Sequence, residues 1–178
     1  PYDCSYCLSS TFDGVRHFPL DRVKKEIIKL VNIGVKQIKF VDRTFNCNKR
    51  RAKDIIRFII DNVDDSIDIN FHFEIAGDLI DEELLNILAK ARKGLIQMEI
   101  GVQSTNEKTL KEVGRKTDIK SIFKNVNCLK SHNNIHIHLD LIAGLPYEDY
   151  ASTQNSFNEV YALKPHKLQL GFLKMLKG

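Results

Sequence analysis

Cys4-Ser5-Tyr6-Cys7 sets two thiols three positions apart near the start of the chain. Three chemistries use soft sulfur ligands at this spacing: half of a zinc site, a dithiol redox pair, or part of an iron–sulfur ligand set. Zinc asks for a second pair of sulfur or imidazole ligands. The other cysteines, Cys47 and Cys128, are isolated and read as small packing residues. A thioredoxin-like pair opens a helix after a strand, whereas residues 8–18 read as loop. Further along, ionisable and amide side chains recur at alternate positions. They are Asn70, His72 and Glu74; Gln97, Glu99 and Gln103; and His136, His138 and Asp140. Imidazole with carboxylate suits several metals. His72, Glu99, His136 and His138 nevertheless read first as hydrogen-bonding residues of a polar interior, second as substrate contacts and only third as a further metal site.

The elements that must carry these residues alternate in type. Helices are expected over residues 20–32, 49–62, 81–92, 107–113, 118–132 and 152–163. Strands are expected over 36–41, 67–75, 95–102, 135–143 and 167–173. Val23, Ile27, Leu30 and Val31 make one apolar face in the first helix, and Ile55, Ile56, Ile59 and Ile60 make another in the second. Gly34 and Gly94 are stop signals, and Asp81 is an N-cap. Strand–helix alternation implies parallel strands joined by right-handed crossovers, in a barrel or in an open doubly wound sheet.

The strand patterning favours the barrel. Strands buried on both faces of an open parallel sheet read as continuous apolar runs. Here Ile69, Phe71 and Phe73 alternate with polar residues, as do Ile96, Met98, Ile100 and Val102, then Ile137, Leu139 and Leu141, then Leu168, Leu170 and Phe172. The apolar set is expected to pack against helices, leaving the polar set to line a lumen that holds ligand and water. The faces of strand 36–41 stay unassigned. The expected class is α/β, a partial parallel (β/α) TIM-like barrel of five to six strands with outer helices.

Composition narrows the function classes. The 178 residues suit one domain, with 43% hydrophobic and 28% charged residues. A net charge of +4, spread through helix patterns, does not indicate nucleic-acid binding. No run approaches the roughly 18 apolar residues of a membrane span, and no secretory leader is visible. A reducing cytoplasm is therefore the expected location. No GxGxxG or Walker loop follows any strand. The chain opens on Pro1 rather than Met and stops just after a strand run, so the parent protein is expected to be longer at both ends.

Pro1-Tyr2-Asp3-Cys4-Ser5-Tyr6-Cys7 resembles the C-P-x-x-C-x-Y-C form of the radical S-adenosylmethionine (SAM) motif CxxxCxxC, with the leading Cys expected just before Pro1. Phe40-Val41-Asp42-Arg43-Thr44-Phe45 resembles the F-x-D-D-T-F segment of cobalamin-linked radical SAM proteins. It departs from the Gly-Gly-Glu triplet with which many members hold the SAM amino group. Gly101-Val102-Gln103-Ser104 resembles the G-[VIL]-[QE]-S turn. Asp140-Leu141-Ile142-Ala143-Gly144-Leu145-Pro146 resembles the D-[LF]-I-x-G-[LF]-P strand of oxygen-independent coproporphyrinogen oxidase and its relatives.

The resemblance implies a radical SAM core barrel over residues 1–178. Cys4 and Cys7 would be ligands of a [4Fe–4S] cluster whose fourth iron binds SAM, and two thiolates alone are not expected to hold it. Tyr6 would lie near the adenine and Ile142 against it. Asp42 and backbone carbonyls would take the amino group, Arg115 the SAM carboxylate, Gln103 and Asp140 the ribose hydroxyls, and Glu74 the ammonium or sulfonium charge; Ser104 would be a further cofactor-binding residue. The implied chemistry is one-electron cleavage of SAM to methionine and a 5′-deoxyadenosyl radical that abstracts hydrogen from substrate. A flavodoxin or ferredoxin would donate the electron, and cobalamin could enter through a domain outside this sequence. A methylthiotransferase or cobalamin-dependent methyltransferase core is one alternative; a non-enzymatic or zinc-binding barrel with a structural CxxC is another. Tyr147 and Glu148 are expected at the substrate mouth.

Overall fold

The structure is a computed structural model that describes residues 3–7 and 14–174; the expectations for Pro1 and for the loop at 8–13 lie outside the described residues. In chain order the elements are α1 (Leu20–Ile33), β1 (Gln37–Lys39), α2 (Lys49–Asn62), β2 (Asn70–Ile75), α3 (Glu82–Leu88), β3 (Ile96–Gln103), α4 (Glu107–Glu112), α5 (Ile119–Ser131), β4 (His136–Ala143), α6 (Tyr150–Ala162) and β5 (Lys167–Phe172). The strands form one sheet in the order β1-β2-β3-β4-β5, every neighbouring pair parallel. Each crossover moves one strand in the same direction, with none of the reversal that defines a doubly wound sheet. The sheet curls into half a barrel with helices outside, as the polar alternation of the strands required.

Local signals place the helices. Side chains of Asn48, Asp81, Asn106, Asp118 and Asp149 accept backbone N–H bonds from the first turns of α2, α3, α4, α5 and α6. α2 spans the expected residues, but α3 ends at Leu88 rather than near Arg92. Asn134 Nδ2 donates to Leu88 O at 2.8 Å and to Ala91 O at 2.7 Å. A side chain thus takes carbonyls that another helical turn would have used.

The outward strand residues make the core: Phe71, Phe73, Ile96, Met98, Ile100, Val102, Ile137 and Leu139 are all fully buried. Each contributes about 1.5–3 kcal/mol of burial. β5 departs from the expectation that its apolar set would also pack. Leu168 is half-buried, whereas Leu170 and Phe172 are 41% and 75% exposed. Among the described residues β5 pairs only with β4, and α6 comes back over β4, so none of them covers the far half of this edge strand.

Candidate cofactor site in the half-barrel

The inward residues meet at the C-terminal ends of the strands, where barrels carry their sites. A polar cleft of about 110 Å³ is lined by Arg43, Thr44, Glu74, Ile75, Ala76, Glu99, Gly101, Gln103, Arg115 and Asp140. Four of the residues singled out from sequence, namely Glu74, Gln103, Arg115 and Asp140, come from β2, β3, the turn after α4 and β4. They converge here.

Arg115 is the centre of this arrangement. Its Nη2 donates to Gly101 O, and its Nη1 stands 3.9 Å from Cys4 Sγ. Its Nε is buried without a hydrogen bond. One guanidinium therefore ties the cysteine loop to the end of β3 and keeps a charged N–H in reserve. The loop docks through its backbone as well: Ser5 N donates to Val113 O at 3.0 Å, and Cys7 N closes a turn onto Cys4 O at 3.0 Å. Cys4 is buried and Cys7 half-buried. Burial lifts the Tyr6 phenol to about 12 against the pull of Arg115, so the hydroxyl stays protonated beside Cys4.

The end of β3 is shaped for this contact. The β3–β4 register shifts between Gly101 and Gln103, and Gln103 sits at φ 71°, a left-handed backbone that side chains other than glycine rarely adopt. The bulge turns the Gln103 amide back over Gly101. A Cβ at Gly101 would lie 2.1 Å from Gln103 Nε2 and 3.5 Å from Arg115 Nη2. Only a glycine leaves room for the two side chains to share that corner.

The segment from Phe40 to Phe45 is held by aromatic packing. The Phe40, Phe45 and Phe73 rings have centroids 4.5–5.1 Å apart. Asn46 completes the anchor, donating to Ala76 O and accepting from Ala76 N, both at 2.8 Å. These contacts bring Arg43 and Thr44 to the cleft, two residues that sequence reasoning did not single out although they lie inside a segment that it did.

Other sequence expectations find different places. Asp42 is exposed and faces a separate cavity of about 760 Å³ between α1 and the Phe40–Phe45 segment. Ser104 is fully buried; its hydroxyl donates to Glu148 and accepts from Asn106 N at 2.9 Å, which engages it in the fold instead of the cleft. Glu148, expected at the mouth, also accepts from Thr153 Oγ1 at 2.9 Å, so it pins the loop to α6. Tyr147 is exposed, with Lys108 Nζ 3.9 Å from its ring centroid. Ile142 is half-buried, two residues beyond Asp140 on the same strand face.

Under the cleft lies a charged floor. Lys39, on the strand whose faces sequence left unassigned, reaches Glu74 at 3.1 Å and Glu99 at 3.5 Å. His72 Nε2 is 2.8 Å from Glu99 Oε2, and His138 Nε2 is 3.0 Å from Asp140 Oδ1. Burial and the neighbouring Glu99 and Glu74 charges raise Asp140 to about 7. Burial works the same way on Glu99, but Lys39 and the imidazoles hold it below the usual carboxylate value. Burial lowers His138, keeping it neutral at neutral pH.

The sequence profile of the Radical SAM superfamily matches residues 1–160, and these are the residues that build both the cysteine loop and the cleft. The chain belongs to the radical SAM superfamily. Members of this superfamily are enzymes. Among curated proteins the chain is similar to the ribosomal protein uS12 methylthiotransferase RimO of Chlamydia abortus, 26% identical over 165 residues, covering 88% of this chain and 35% of the relative. Among solved structures it superposes on the radical SAM methyltransferase TsrM of Kitasatospora setae, bound to cobalamin and a [4Fe–4S] cluster. That match has a TM-score of 0.83 at 18% identity and covers 98% of this chain and 35% of that one. It also superposes on the coproporphyrinogen III oxidase HemN of Escherichia coli, a radical SAM enzyme, with a TM-score of 0.69 at 24% identity, covering 88% of this chain and 37% of that one. The chain thus spans about a third of the length of these relatives. No helix among the described residues is long and apolar enough to cross a membrane.

The residues fit the superfamily's cofactors. A buried sulfur beside a guanidinium suits an anionic thiolate centre. An uncommitted buried Arg N–H suits a carboxylate. The glycine-lined corner with amide and carboxylate walls suits hydroxyl and ammonium groups.

Proposed function

We propose that this chain is the core of a radical SAM enzyme in which Cys4 and Cys7, with a third cysteine ahead of Pro1, hold a [4Fe–4S] cluster and Glu74, Gln103, Arg115 and Asp140 bind SAM. The observation that carries the reading is Arg115, which joins the Cys4 sulfur to the corner formed by Gly101 and Gln103. When bound, the cofactors supply reductive cleavage of SAM for hydrogen abstraction from substrate.

The chain's own residues bind and orient. Arg115 pairs with the SAM carboxylate through a planar fork that a lysine could not replace. Gln103 and Asp140 hold the ribose hydroxyls, Asp140 donating when its carboxyl is protonated. Glu74 balances positive charge at the SAM ammonium or sulfonium. Tyr6, within the cysteine loop, keeps a protonated phenol beside Cys4 and lies near the adenine. A one-electron donor of the flavodoxin or ferredoxin type delivers the electron.

The test is anaerobic reconstitution of the full-length protein with iron and sulfide, followed by reductant and SAM. Thiolate-to-iron absorption and 5′-deoxyadenosine are expected from the wild type, and both are expected to vanish in Cys4→Ala. A wild type that gives neither, or a variant that keeps both, would falsify the proposal. A second reading, a methylthiotransferase core, draws support from the RimO similarity over 88% of this chain. It predicts sulfur insertion into the product and a further cluster in the full-length protein, which iron and sulfide analysis of the same sample distinguishes.

A further inference from the structure

Glu99 lines the cleft without a part in holding SAM. The strand register sets it on β3 beside His138 of β4, with Gly101 beside Asp140. The carboxyl groups of Glu99 and Asp140 are hydrogen-bonded to each other. Two carboxyl groups can meet in this way only when one of them carries a proton. The surroundings decide which. Glu99 Oε2 stands 2.8 Å from His72 Nε2 of β2 and 3.5 Å from Lys39 Nζ of β1. Asp140 Oδ1 faces His138 Nε2 at 3.0 Å, and burial keeps that imidazole neutral. Glu74 of β2 adds a negative charge toward Asp140, while Lys167 of β5 pulls the other way. Arg43 and Arg115 also line the cleft, and Arg115 is engaged with Gly101 O. Cation and N–H donors thus gather on Glu99, and the shared proton belongs to Asp140.

Resting on the assignment of Asp140 to the SAM ribose, we infer that Glu99 is a positioning residue for SAM binding: it holds a proton on Asp140 and so decides whether that carboxyl meets the ribose hydroxyls as a neutral group or as a carboxylate. A carboxylate accepts charge-assisted hydrogen bonds, about twice as strong as those of a neutral carboxyl. It also adds a negative charge facing the SAM cation. Burial and the Glu99 and Glu74 charges move the changeover of Asp140 up to about 7, so SAM affinity rises as pH climbs through neutrality. An ionised Glu99 opposes ionisation of Asp140, and Lys39 weakens that opposition by neutralising Glu99. An amide in place of Glu99 removes the charge and donates to Asp140, which then ionises at lower pH.

The experiment is calorimetric SAM titration of the full-length, anaerobically reconstituted protein across neutral pH. Wild-type affinity is expected to rise about 5- to 10-fold from the acid to the alkaline side. Glu99→Gln is expected to bind SAM more tightly than the wild type on the acid side and to give a level profile. Lys39→Met is expected to move the rise to higher pH, the opposite sign. Circular dichroism checks that each variant is folded, and Lys39→Met, at an exposed position, carries the test if Glu99→Gln does not fold. A purely structural part for Glu99 would weaken binding at every pH and leave the rise where it is. That result, or a wild type that binds SAM with a level profile, overturns the role of Glu99 alone. A wild type that binds no SAM at any pH overturns the SAM site along with it.

Discussion

Gly101→Ala separates cofactor binding from stability, because the structure predicts effects of opposite sign. The new methyl would lie 2.1 Å from Gln103 Nε2 and 3.3 Å from Gln103 Cδ, with Arg115 Nη2 at 3.5 Å. The nearest clash is with the end of a flexible side chain, so the backbone stays and the amide swings away. Gln103 then loses the hydrogen bonds it would make to SAM, while Arg115, in ordinary contact with the new methyl, keeps its carbonyl. The loss is about 1–2 kcal/mol, or roughly 5- to 30-fold in Kd. Gly101 is not in a left-handed conformation, so alanine fits its backbone and gains about 0.5–1 kcal/mol over glycine in a strand. The midpoint of thermal unfolding should therefore hold or rise by roughly 2–4 °C. Calorimetric SAM titration of the anaerobically reconstituted protein, paired with a thermal scan, reads both quantities. Unchanged SAM affinity, or an affinity loss that accompanies a fall in melting temperature, would refute the reasoning.

Gln103→Gly tests the same corner from the other side. It removes left-handed strain worth about 1–2 kcal/mol together with the amide, so melting temperature should rise while SAM affinity falls; a fall in both would show that the Gln103 side chain is structural. Asn46→Ala orphans the buried Ala76 N–H and leaves the Ala76 carbonyl with Leu79 N as its donor, a cost of about 1–3 kcal/mol. Thermal unfolding should begin roughly 3–10 °C lower, and a shift under 2 °C would contradict the anchoring role given to Asn46. Lys53 links α2 to Asp81 at 2.8 Å and to Glu83 at the start of α3. The hydrogen bonds that Lys53 donates to Asp81 and Glu83 raise its pKa, so its contribution is complete below about 10.4 and fades as pH climbs through the raised value. Burial pushes Asp81 up, but Lys53 and the Leu84 N–H hold it below the usual value, so its contribution is complete above about 3.9 and fades as pH falls through the lowered one. Denaturant unfolding across pH should show Lys53→Met losing less stability than wild type at both extremes, and parallel curves would rule out the coupling.

The sequence by itself determined the strand–helix alternation, the side of β2, β3 and β4 that carries polar groups, and the Asp81 cap of α3. These are local: period-two patterning and N-cap chemistry act within a few residues, and a single chain displays them. It also yielded Glu74, Gln103, Arg115 and Asp140 as a set, through short stretches whose spacing resembles known radical SAM segments. Tertiary structure alone decided which groups touch. Lys39 enters the lumen because its three-residue strand pairs with β2 in one register, and so short a strand has no readable period. Ser104 and Glu148 are drawn together across 44 residues, turning a residue read as a cofactor contact into part of a buried hydrogen-bond knot. The convergence of Arg115 on Cys4 and Gly101 depends on a bulge and on two loops docking, and the exposure of Leu170 and Phe172 depends on what lies over β5. Such outcomes follow from packing between segments far apart in the chain, and hydrophobic periodicity, which reports only which face of a segment turns inward, holds no information about what that face will meet.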